Sequence, residues 1–472
     1  MKKILTLLFI SLFYTFSFSQ TTWNLQKCIE YAFENNISIK QADISKMIAQ
    51  NNFQQSKLNL LPSLSGDASL NYNFGNSVNP TTYEFIQNAT NSSSYNLNAN
   101  MTLFSGLQQQ NSIKQNQFNT KAAEENLRST QNNIALTISQ YYLQILQNYE
   151  LLDVAKKQLD QSKQQKEKTE IQISSGAVPA GNRYQSEAQI ATDELRIVNA
   201  QNALDNSKLL LKLILQLNPE QSFEIEIPTL ANDFSFDESL TADRIFSYAV
   251  TQQPTVKSAE WSLKSTERSL FMSKGAFSPT ISAYASLRTN YFNQQKTYTT
   301  TNNLNFNTIG YTETSLERVI QPSPEIITTK TPYATQLKQN LSEGLGLSLN
   351  VPIFNRWNRV TNLNNAKLQV SNAELRLEST RNQLRQDIYQ AFSNYESAKK
   401  TYEANQKNVY SLQKTYEFSR ERFNVGALSQ IDLSVIQNNL AVANSELARS
   451  KYDYLFKIKI LEFYQGKNLQ LN

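Results

Sequence analysis

The sequence predicts a mainly α-helical protein that also carries a membrane β-barrel portion, to which each chain contributes two pairs of amphipathic strands. Three observations predict this fold class. Long helical runs carry an apolar residue at every seventh position, two regions alternate strictly between polar and apolar residues, and the whole pattern occurs twice. Seven-residue spacing is typical of supercoiled helices, and period-two alternation is typical of strands with one apolar and one wet face.

The first nineteen residues predict a secretory signal peptide. A basic start at Lys2 and Lys3 precedes an apolar run, Ile4 to Phe18, and small residues then favour cleavage near Ser19–Gln20. The apolar run is too short for a membrane span, and no later run reaches about 18 apolar residues. If the chain crosses a bilayer, we therefore expect it to do so as a closed β-structure.

Composition excludes several classes of protein. The chain has 472 residues and a formal net charge of +5, which is too small and too dispersed to predict nucleic-acid binding. It contains no histidine, so His-based catalysis and His metal sites are excluded, and it contains no phosphate-binding or dinucleotide-binding glycine motif. We expect no enzyme activity, no cofactor and no metal. The single cysteine, Cys28, lies on an amphipathic helix and is predicted to be a buried apolar group.

The first repeat is predicted to span residues 20–217. Two short helices between Leu25 and Leu60 break at Asn36, and Pro62 ends the helical pattern. Strands follow at about 63–75 and 93–104 around a polar loop. The remaining predicted elements are long helices at about 107–173 and 182–217, with a turn at Gly176, and then a linker at 218–240.

The second repeat, at 241–465, has the same order of elements. Its predicted strands lie at about 280–292 and 341–354, and its predicted long helices lie at about 356–424 and 428–465. A C-terminal tail is predicted at 466–472. Pro279 follows Pro62 by 217 residues, whereas Gly426 follows Gly176 by 250. The additional 33 residues (250 − 217) must lie between Asn290 and Leu341, where the composition predicts an enlarged loop. The pattern indicates an internal duplication.

The strands predict an oligomer. Four strands are too few for a membrane barrel, which needs about eight or more, and open sheet edges are not tolerated in lipid. A trimer would supply twelve strands. A helix from Arg356 to Asn424 would be roughly 100 Å long, so the same trimer is expected to continue into an α-helical coiled-coil barrel.

A set of local motifs, in a fixed order, resembles the TolC-type outer-membrane efflux proteins. It comprises the prolines before the strands, the echo of Leu103-Phe104-Ser105-Gly106 in Pro352-Ile353-Phe354-Asn355, and the tip Phe423-Asn424-Val425-Gly426-Ala427 with Ile431-Asp432-Leu433. The resemblance implies a passive homotrimeric exit duct of a tripartite efflux or type I secretion system. Such a duct lies in the outer membrane of a Gram-negative bacterium, extends into the periplasm, and is loaded by an inner-membrane pump through a periplasmic adaptor.

The resemblance also implies a periplasmic gate with carboxylates just after the second tip. Asp432 occupies the first acidic position, but the second is Val435 and the tether arginine is replaced by Leu428. Three Asp432 carboxylates around a narrow axis would repel one another and attract cations. The alternative is that Asp432 stabilises a helix N-terminus through the helix dipole, and both roles are compatible. The polar pair at the first tip is Gly181-Asn182.

Two further sets of residues are candidate sites. At the tips, glycine allows the positive φ of a helix–helix turn, and the resemblance implies adaptor docking there by Gly176, Val425, Gly426 and Ala427. Aromatic residues on and beside the strands are expected to form interfacial girdles, with ordinary strand packing as the alternative. These aromatic residues are Tyr72, Phe74, Tyr95, Phe104, Tyr291 and Phe354.

Two other protein classes share part of the pattern. A periplasmic coiled-coil adaptor also has a signal peptide and a helical hairpin, but adaptors usually have one hairpin flanked by soluble β-domains. A structural coiled-coil protein of the cell envelope would leave the alternating strands unexplained. The duplicated pairs of strands and hairpins therefore favour the duct.

Overall fold

The computed structural model describes residues 22–78, 83–87, 89–228, 236–237 and 239–467. The predicted signal peptide, part of the predicted linker and most of the predicted tail lie outside these residues. The chain divides into two compact units. The first unit contains the chain up to Asn51, residues 117–265 and the chain from Val370 onward; the second contains residues 52–116 and 266–369.

Helices form most of the described chain. In chain order they are α1 (Leu25–Asn35), α2 (Ile37–Leu58), α3 (Gln108–Ser174), α4 (Gly181–Ile214), α5 (Ala242–Gln252), α6 (Pro254–Gly275), α7 (Tyr333–Gln339), α8 (Asn358–Asn424) and α9 (Gln430–Tyr464). The strands are β1 (Ser63–Asn73), β2 (Ser77–Val78), β3 (Phe85–Ile86), β4 (Thr90–Phe104), β5 (Thr280–Phe292), β6 (Lys296–Tyr311), β7 (Arg318–Lys330) and β8 (Ser342–Asn350).

Helix lengths repeat between the two halves of the chain. Helices α1 and α5 have 11 residues each, α2 and α6 have 22 each, and α3 and α8 have 67 each. Helices α4 and α9 have 34 and 35 residues. Because the same lengths recur in the same order, the two halves are built from one structural plan. No described helix is both long and apolar enough to cross a membrane.

The short helices of each repeat are interrupted at equivalent places by different chemistry. Between α1 and α2, the buried Asn36 side chain accepts a hydrogen bond from the backbone N–H of Ser38, at 2.9 Å, and donates one to the carbonyl oxygen of Ile214, at 3.0 Å. Between α5 and α6, Pro254 is the first helical residue, a position where its missing N–H costs nothing. Both breaks begin a new helix without leaving a buried polar group unpaired.

Within the described residues the first unit has three apolar clusters: one built mainly from the first repeat, one built mainly from the second, and a third near the tip of the second helical hairpin. The first joins α1, α3 and α4 around Ile138, Tyr142 and Leu211, with Cys28 fully buried beside them. The second joins α5, α8 and α9 around Ile388, Tyr395 and Leu461. Residues at the seven-residue apolar spacing of α8 and α9 are buried or half-buried, as supercoiled helices require; the buried Leu377, Leu384, Leu433 and Leu440 are examples.

The main sheet lies in the second unit and has the strand order β1-β4-β5-β8, with every neighbouring pair antiparallel. The register aligns like residues across all four strands. One row is Leu64, Ala99, Ala285 and Leu345, and a row on the opposite face is Asp67, Asn96, Arg288 and Ser342. The sheet therefore has one apolar face and one polar face, as the alternation predicts.

A β-bulge interrupts the alternation near the end of β4. Thr102 pairs with Ser282, but the next paired residue is Phe104, which aligns with Ile281. The extra residue, Leu103, lets Phe104 rejoin the row of apolar residues. Period-two counting along β4 would place Leu103 on the apolar face, so the alternation alone does not reveal this shift.

The expected enlarged loop is folded rather than irregular. Strands β6 and β7 form an antiparallel hairpin, and α7 follows it. The buried Gln336 of α7 accepts a hydrogen bond from the backbone N–H of Phe292, at 2.9 Å, and donates one to the carbonyl oxygen of Thr331, at 2.8 Å. These bonds attach the insertion to the end of β5, so the additional residues extend the sheet region with ordered structure.

Candidate functional site

The two helical hairpins end in turns of identical geometry. Gly176 and Gly426 have φ of +71° and +74°. In the first turn the N–H of Ala177 reaches the carbonyl oxygen of Gln172, and in the second the N–H of Ala427 reaches that of Arg422, both at 2.8 Å. This is the Schellman pattern, in which a left-handed residue ends the helix. An added Cβ would meet no atom at either glycine, so only the backbone conformation requires glycine.

Asp432 lies in a capping arrangement at the start of α9. The Ser429 hydroxyl accepts a hydrogen bond from the Asp432 N–H, at 3.1 Å, and donates one to the Asp432 carboxylate, at 2.7 Å. This satisfies a backbone donor that the helix leaves unpaired, and an acid in the first turn also suits the helix dipole. The helix-end arrangement is therefore present in the protomer, and the Asp432 side chain remains exposed.

The second hairpin has an apolar core close to its tip. Tyr416 and Phe423 of α8 pack with Leu433 and Leu440 of α9. Leu428, which the resemblance places at the tether arginine, packs against this cluster. The residue that the resemblance assigns to a polar tether is thus part of an apolar contact, whereas Val435 is exposed.

The first hairpin has a polar interior at the corresponding level. Asp193 of α4 is fully buried and accepts hydrogen bonds from Ser162 of α3, at 2.7 Å, and from Gln189 and Arg196 of its own helix. Ser162 in turn accepts one from Gln437 of α9, at 3.2 Å. The seven-residue apolar pattern does not reveal this network, because the pattern concerns only apolar residues. A signal was available, since Ser186, Asp193 and Ser207 are separated by multiples of seven residues.

Ion pairs on the surface hold this hairpin together nearer its tip. Arg183 of α4 makes two hydrogen bonds to the Glu170 carboxylate of α3, at 2.8 and 2.7 Å. The guanidinium lowers the pKa of Glu170. Lys166 of α3 pairs with Glu187 of α4 at 3.0 Å. Since exposed pairs contribute little stability, the two hairpins differ in how firmly their ends are joined.

The predicted girdle residues lie towards opposite ends of the sheet. Tyr72, Tyr95 and Tyr291 lie near the β1–β4 loop, and Phe74 directly follows β1. Phe104 ends β4 at the other end. The side chains of Phe74 and Phe354 are largely exposed on the protomer.

Tyr333 of α7 is an aromatic residue of this region that sequence analysis missed. Its hydroxyl lies 2.8 Å from that of Tyr95 and 3.3 Å from that of Ser93, and its ring centroid is 4.7 Å from that of Tyr291. No local pattern pointed to Tyr333, because the insertion was interpreted as a loop. Tyr333 therefore joins Tyr95 and Tyr291 in a cluster of aromatic side chains at the end of the sheet near the β1–β4 loop.

Known proteins share both the sequence pattern and the fold. The model of the family described as outer membrane efflux protein matches residues 28–215 and 246–462. The outer membrane efflux protein BepC of Brucella suis is 22% identical over 151 residues, which span 31% of this chain and 33% of BepC. The aligned part thus covers about a third of that relative.

Solved structures match over nearly the whole chain. CusC superposes with a TM-score of 0.75 at 18% identity, over 95% of this chain and 93% of CusC. The outer membrane protein VceC of Vibrio cholerae superposes with a TM-score of 0.73 at 14% identity, over 94% of this chain and 96% of VceC.

The fold and its surfaces define a duplicated envelope protein that joins an amphipathic strand region to long helical hairpins. The family match covers most of the chain and both repeats, so this chain belongs to the outer membrane efflux protein family. Its location is the outer membrane of a Gram-negative bacterium, extending into the periplasm.

Proposed function

We propose that three copies of this chain form a passive exit duct of a tripartite efflux or type I secretion system. In this proposal the three sheets close into a twelve-stranded barrel, and the hairpins form the periplasmic tube. A periplasmic adaptor docks at the tips around Gly176 and Gly426 and connects the duct to an inner-membrane pump, which supplies the energy for export.

The main sheet is the observation that carries this proposal. Within the described residues it has β1 and β8 as its two edges, and its apolar face is exposed. Leu64 is 70% and Leu345 86% exposed on the protomer, as residues facing lipid would be. Because the four strands alternate in direction, β8 of one copy runs antiparallel to β1 of the next, and three copies close without a leftover edge.

Conductance in a planar bilayer tests the duct. The detergent-purified full chain is expected to insert and to give discrete openings, because a polar-lined barrel conducts ions. Two lysine variants sharpen the test: Leu347→Lys on the apolar face and the adjacent Ser348→Lys on the polar face. A lysine facing lipid near the midplane costs about 2–4 kcal/mol, so Leu347→Lys should insert rarely.

Ser348→Lys is the matched control. It is expected to insert as the parent does and to shift ion preference towards anions, since its side chain would face the lumen. A folded oligomer that never conducts, or equal effects of the two lysines on insertion, would contradict the proposed duct.

A further inference from the structure

A groove between α3 and α8 is lined by more cations than anions. Its volume is about 550 Å³, and its charged lining consists of Lys156, Lys157, Lys168, Arg420 and a single carboxylate, Asp160. The groove lies entirely within the first unit. Its lining contains neither the tip turns nor Asp432.

Two of these four cations have no ion-pair partner within the part of the chain that the structure describes. Lys157 pairs with Asp153 at 2.6 Å, whereas Arg420 approaches Glu421 only to 3.9 Å. Lys156 and Lys168 make no ion pair among the described residues. The groove therefore presents two lysines, Lys156 and Lys168, whose charge is available to an incoming ligand, beside Arg420, whose ion pair is long.

A buried hydrogen-bond donor also lines the groove. Gln165 is 7% exposed, and its Nε2 has no hydrogen-bond partner among the described residues. A buried donor without a partner is costly, and an oxygen acceptor in the groove would satisfy it. The unpaired cations and this amide are all donors, which suits a carboxylate-bearing ligand.

The dimensions favour an elongated ligand. Lys156 and Lys168 are twelve residues apart on one helix, so the lining extends about 18 Å along α3. A single small anion cannot reach both ends. A groove between two helices accepts a third helix by ridge-into-groove packing, and a helix carries carboxylates spaced over such a length.

We infer that this groove binds an acidic helical segment of a partner protein. The inference rests on the proposed function for the partner's location in the periplasm, and it adds the charge and shape of the partner surface. The carboxylates of the segment lie among Lys156, Lys168 and Arg420, and one of them or a side-chain amide oxygen accepts the free N–H of Gln165.

Binding of a designed peptide to the full chain in detergent tests this inference. The probe is a fluorescein-labelled helical 21-residue peptide with two pairs of glutamates eleven residues apart, which places them on one face about 17 Å apart. Fluorescence anisotropy should show binding that weakens with salt. Lys156→Glu/Lys168→Glu should weaken it about tenfold, and Asp160→Asn should strengthen it about twofold.

Two variants separate the groove from general electrostatics. Lys163→Glu changes the charge of an exposed lysine on the same helix that does not line the groove, and it should leave the affinity within about twofold of the parent. Gln165→Leu removes the unpaired amide and should weaken peptide binding while raising the midpoint of thermal unfolding. A merely structural Gln165 would not produce this pair of effects.

Three results would overturn the inference: no binding to the parent chain, equal binding of a peptide with the same composition but glutamates spread around the helix, or equal competition by oligogalacturonate. The last would assign the groove to an anionic glycan instead. Conductance of the groove variants in a bilayer should equal that of the parent. Absence of peptide binding by a chain that conducts would therefore contradict only this inference. Absence of conductance by the parent chain would contradict the proposed duct.

Discussion

Asp432 combines two physical demands at one residue. Its backbone N–H and carboxylate complete a cap with Ser429, and three copies around an axis would create a ring of negative charge. The cap needs an oxygen acceptor, whereas a cation-selective ring needs the charge. Substitutions that separate these two properties can therefore assign the role.

Asp432→Asn keeps a side-chain oxygen and removes the charge. We expect the variant to fold as the parent does and its cation-to-anion permeability ratio to fall at least about twofold in a planar bilayer, because a charged ring at a constriction controls selectivity. Ser429→Ala is the matched control. It removes the cap, at a cost of about 1 kcal/mol, and should leave selectivity unchanged. Unaltered selectivity in Asp432→Asn would reduce Asp432 to a helix-end residue.

Cys28 is the residue with the clearest pH dependence. Burial raises the pKa of its thiol from 9.0 to about 12, and the charge of Lys27 offsets only part of this effect. The folded state then holds a proton that the unfolded state releases above pH 9. The contribution of Cys28 to stability is therefore complete below pH 9 and is lost as the pH rises towards 12.

Maleimide labelling checks this prediction. At pH 8 the native protein should react with N-ethylmaleimide at least about a hundredfold more slowly than the protein in denaturant, since only an accessible thiolate reacts. In urea titrations, the parent should lose more stability between pH 9 and pH 11 than Cys28→Ala does. Fast labelling of the native protein would show that Cys28 is not buried.

The two hairpins use different interiors near their tips. The second is joined by Tyr416, Phe423, Leu433 and Leu440, whereas the first buries Asp193 in a hydrogen-bonded network. Apolar side chains contribute about 1.5–3 kcal/mol each when buried, but a hydrogen bond contributes only about 1 kcal/mol net. The distal half of the first hairpin is thus the weaker of the two.

Hydrogen exchange measures this difference directly. Amides of residues 158–172 in α3 should exchange at least about tenfold faster than amides of residues 409–423 in α8, since local opening is easier where less apolar surface is buried. The proximal segments 134–148 and 384–398, which both lie in apolar cores, provide the matched comparison and should exchange equally slowly. Equal rates in the distal segments would contradict the proposed asymmetry.

At the scale of the whole molecule, the edges of the sheet support the proposed oligomer. Its edges β1 and β8 expose unpaired backbone groups, which are costly in lipid. Within one chain, the four strands already alternate in direction, so another copy extends the sheet without reversing any strand. Three copies of the four-stranded sheet supply the twelve strands of the proposed barrel.

Engineered disulfides test the closure. In a Cys28→Ala background, Leu64→Cys on β1 is combined in turn with Leu345→Cys, Leu347→Cys or Leu349→Cys on β8, because the stagger between copies selects one partner. Oxidation of the best pair should give a covalent trimer on denaturing gels. The control pair, Ala99→Cys with Ala285→Cys, joins neighbouring strands of one chain and should leave a monomer. A covalent ladder that ends at a dimer would exclude the trimer.

Much of the architecture was predictable because it depends on local periodicity. Helix α8 was predicted at about 356–424 and is found at Asn358–Asn424, and β5 was predicted at about 280–292 and is found at Thr280–Phe292. Glycine at both tips was predictable for the same reason, since a left-handed turn residue is a local requirement. The fold class and the outer-membrane location are confirmed by the family match and the related structures.

Features that depend on partners distant in sequence were not predictable. The bulge at Leu103 follows from pairing with β5, and Tyr333 acquires its role only because α7 packs against the sheet. The buried Asp193 resembles any exposed acid until α3 and α9 surround it.

The sequence by itself determined the duplication, the alternation of strand faces and the helical seams, because periods of two and seven residues are set within a single element. Only the tertiary structure decided which polar residues lie inside, which strands are edges, and where cations from α3 and α8 line one groove. These properties depend on contacts between segments that are distant in sequence. The amino-acid pattern of one segment does not specify which other segments pack against it.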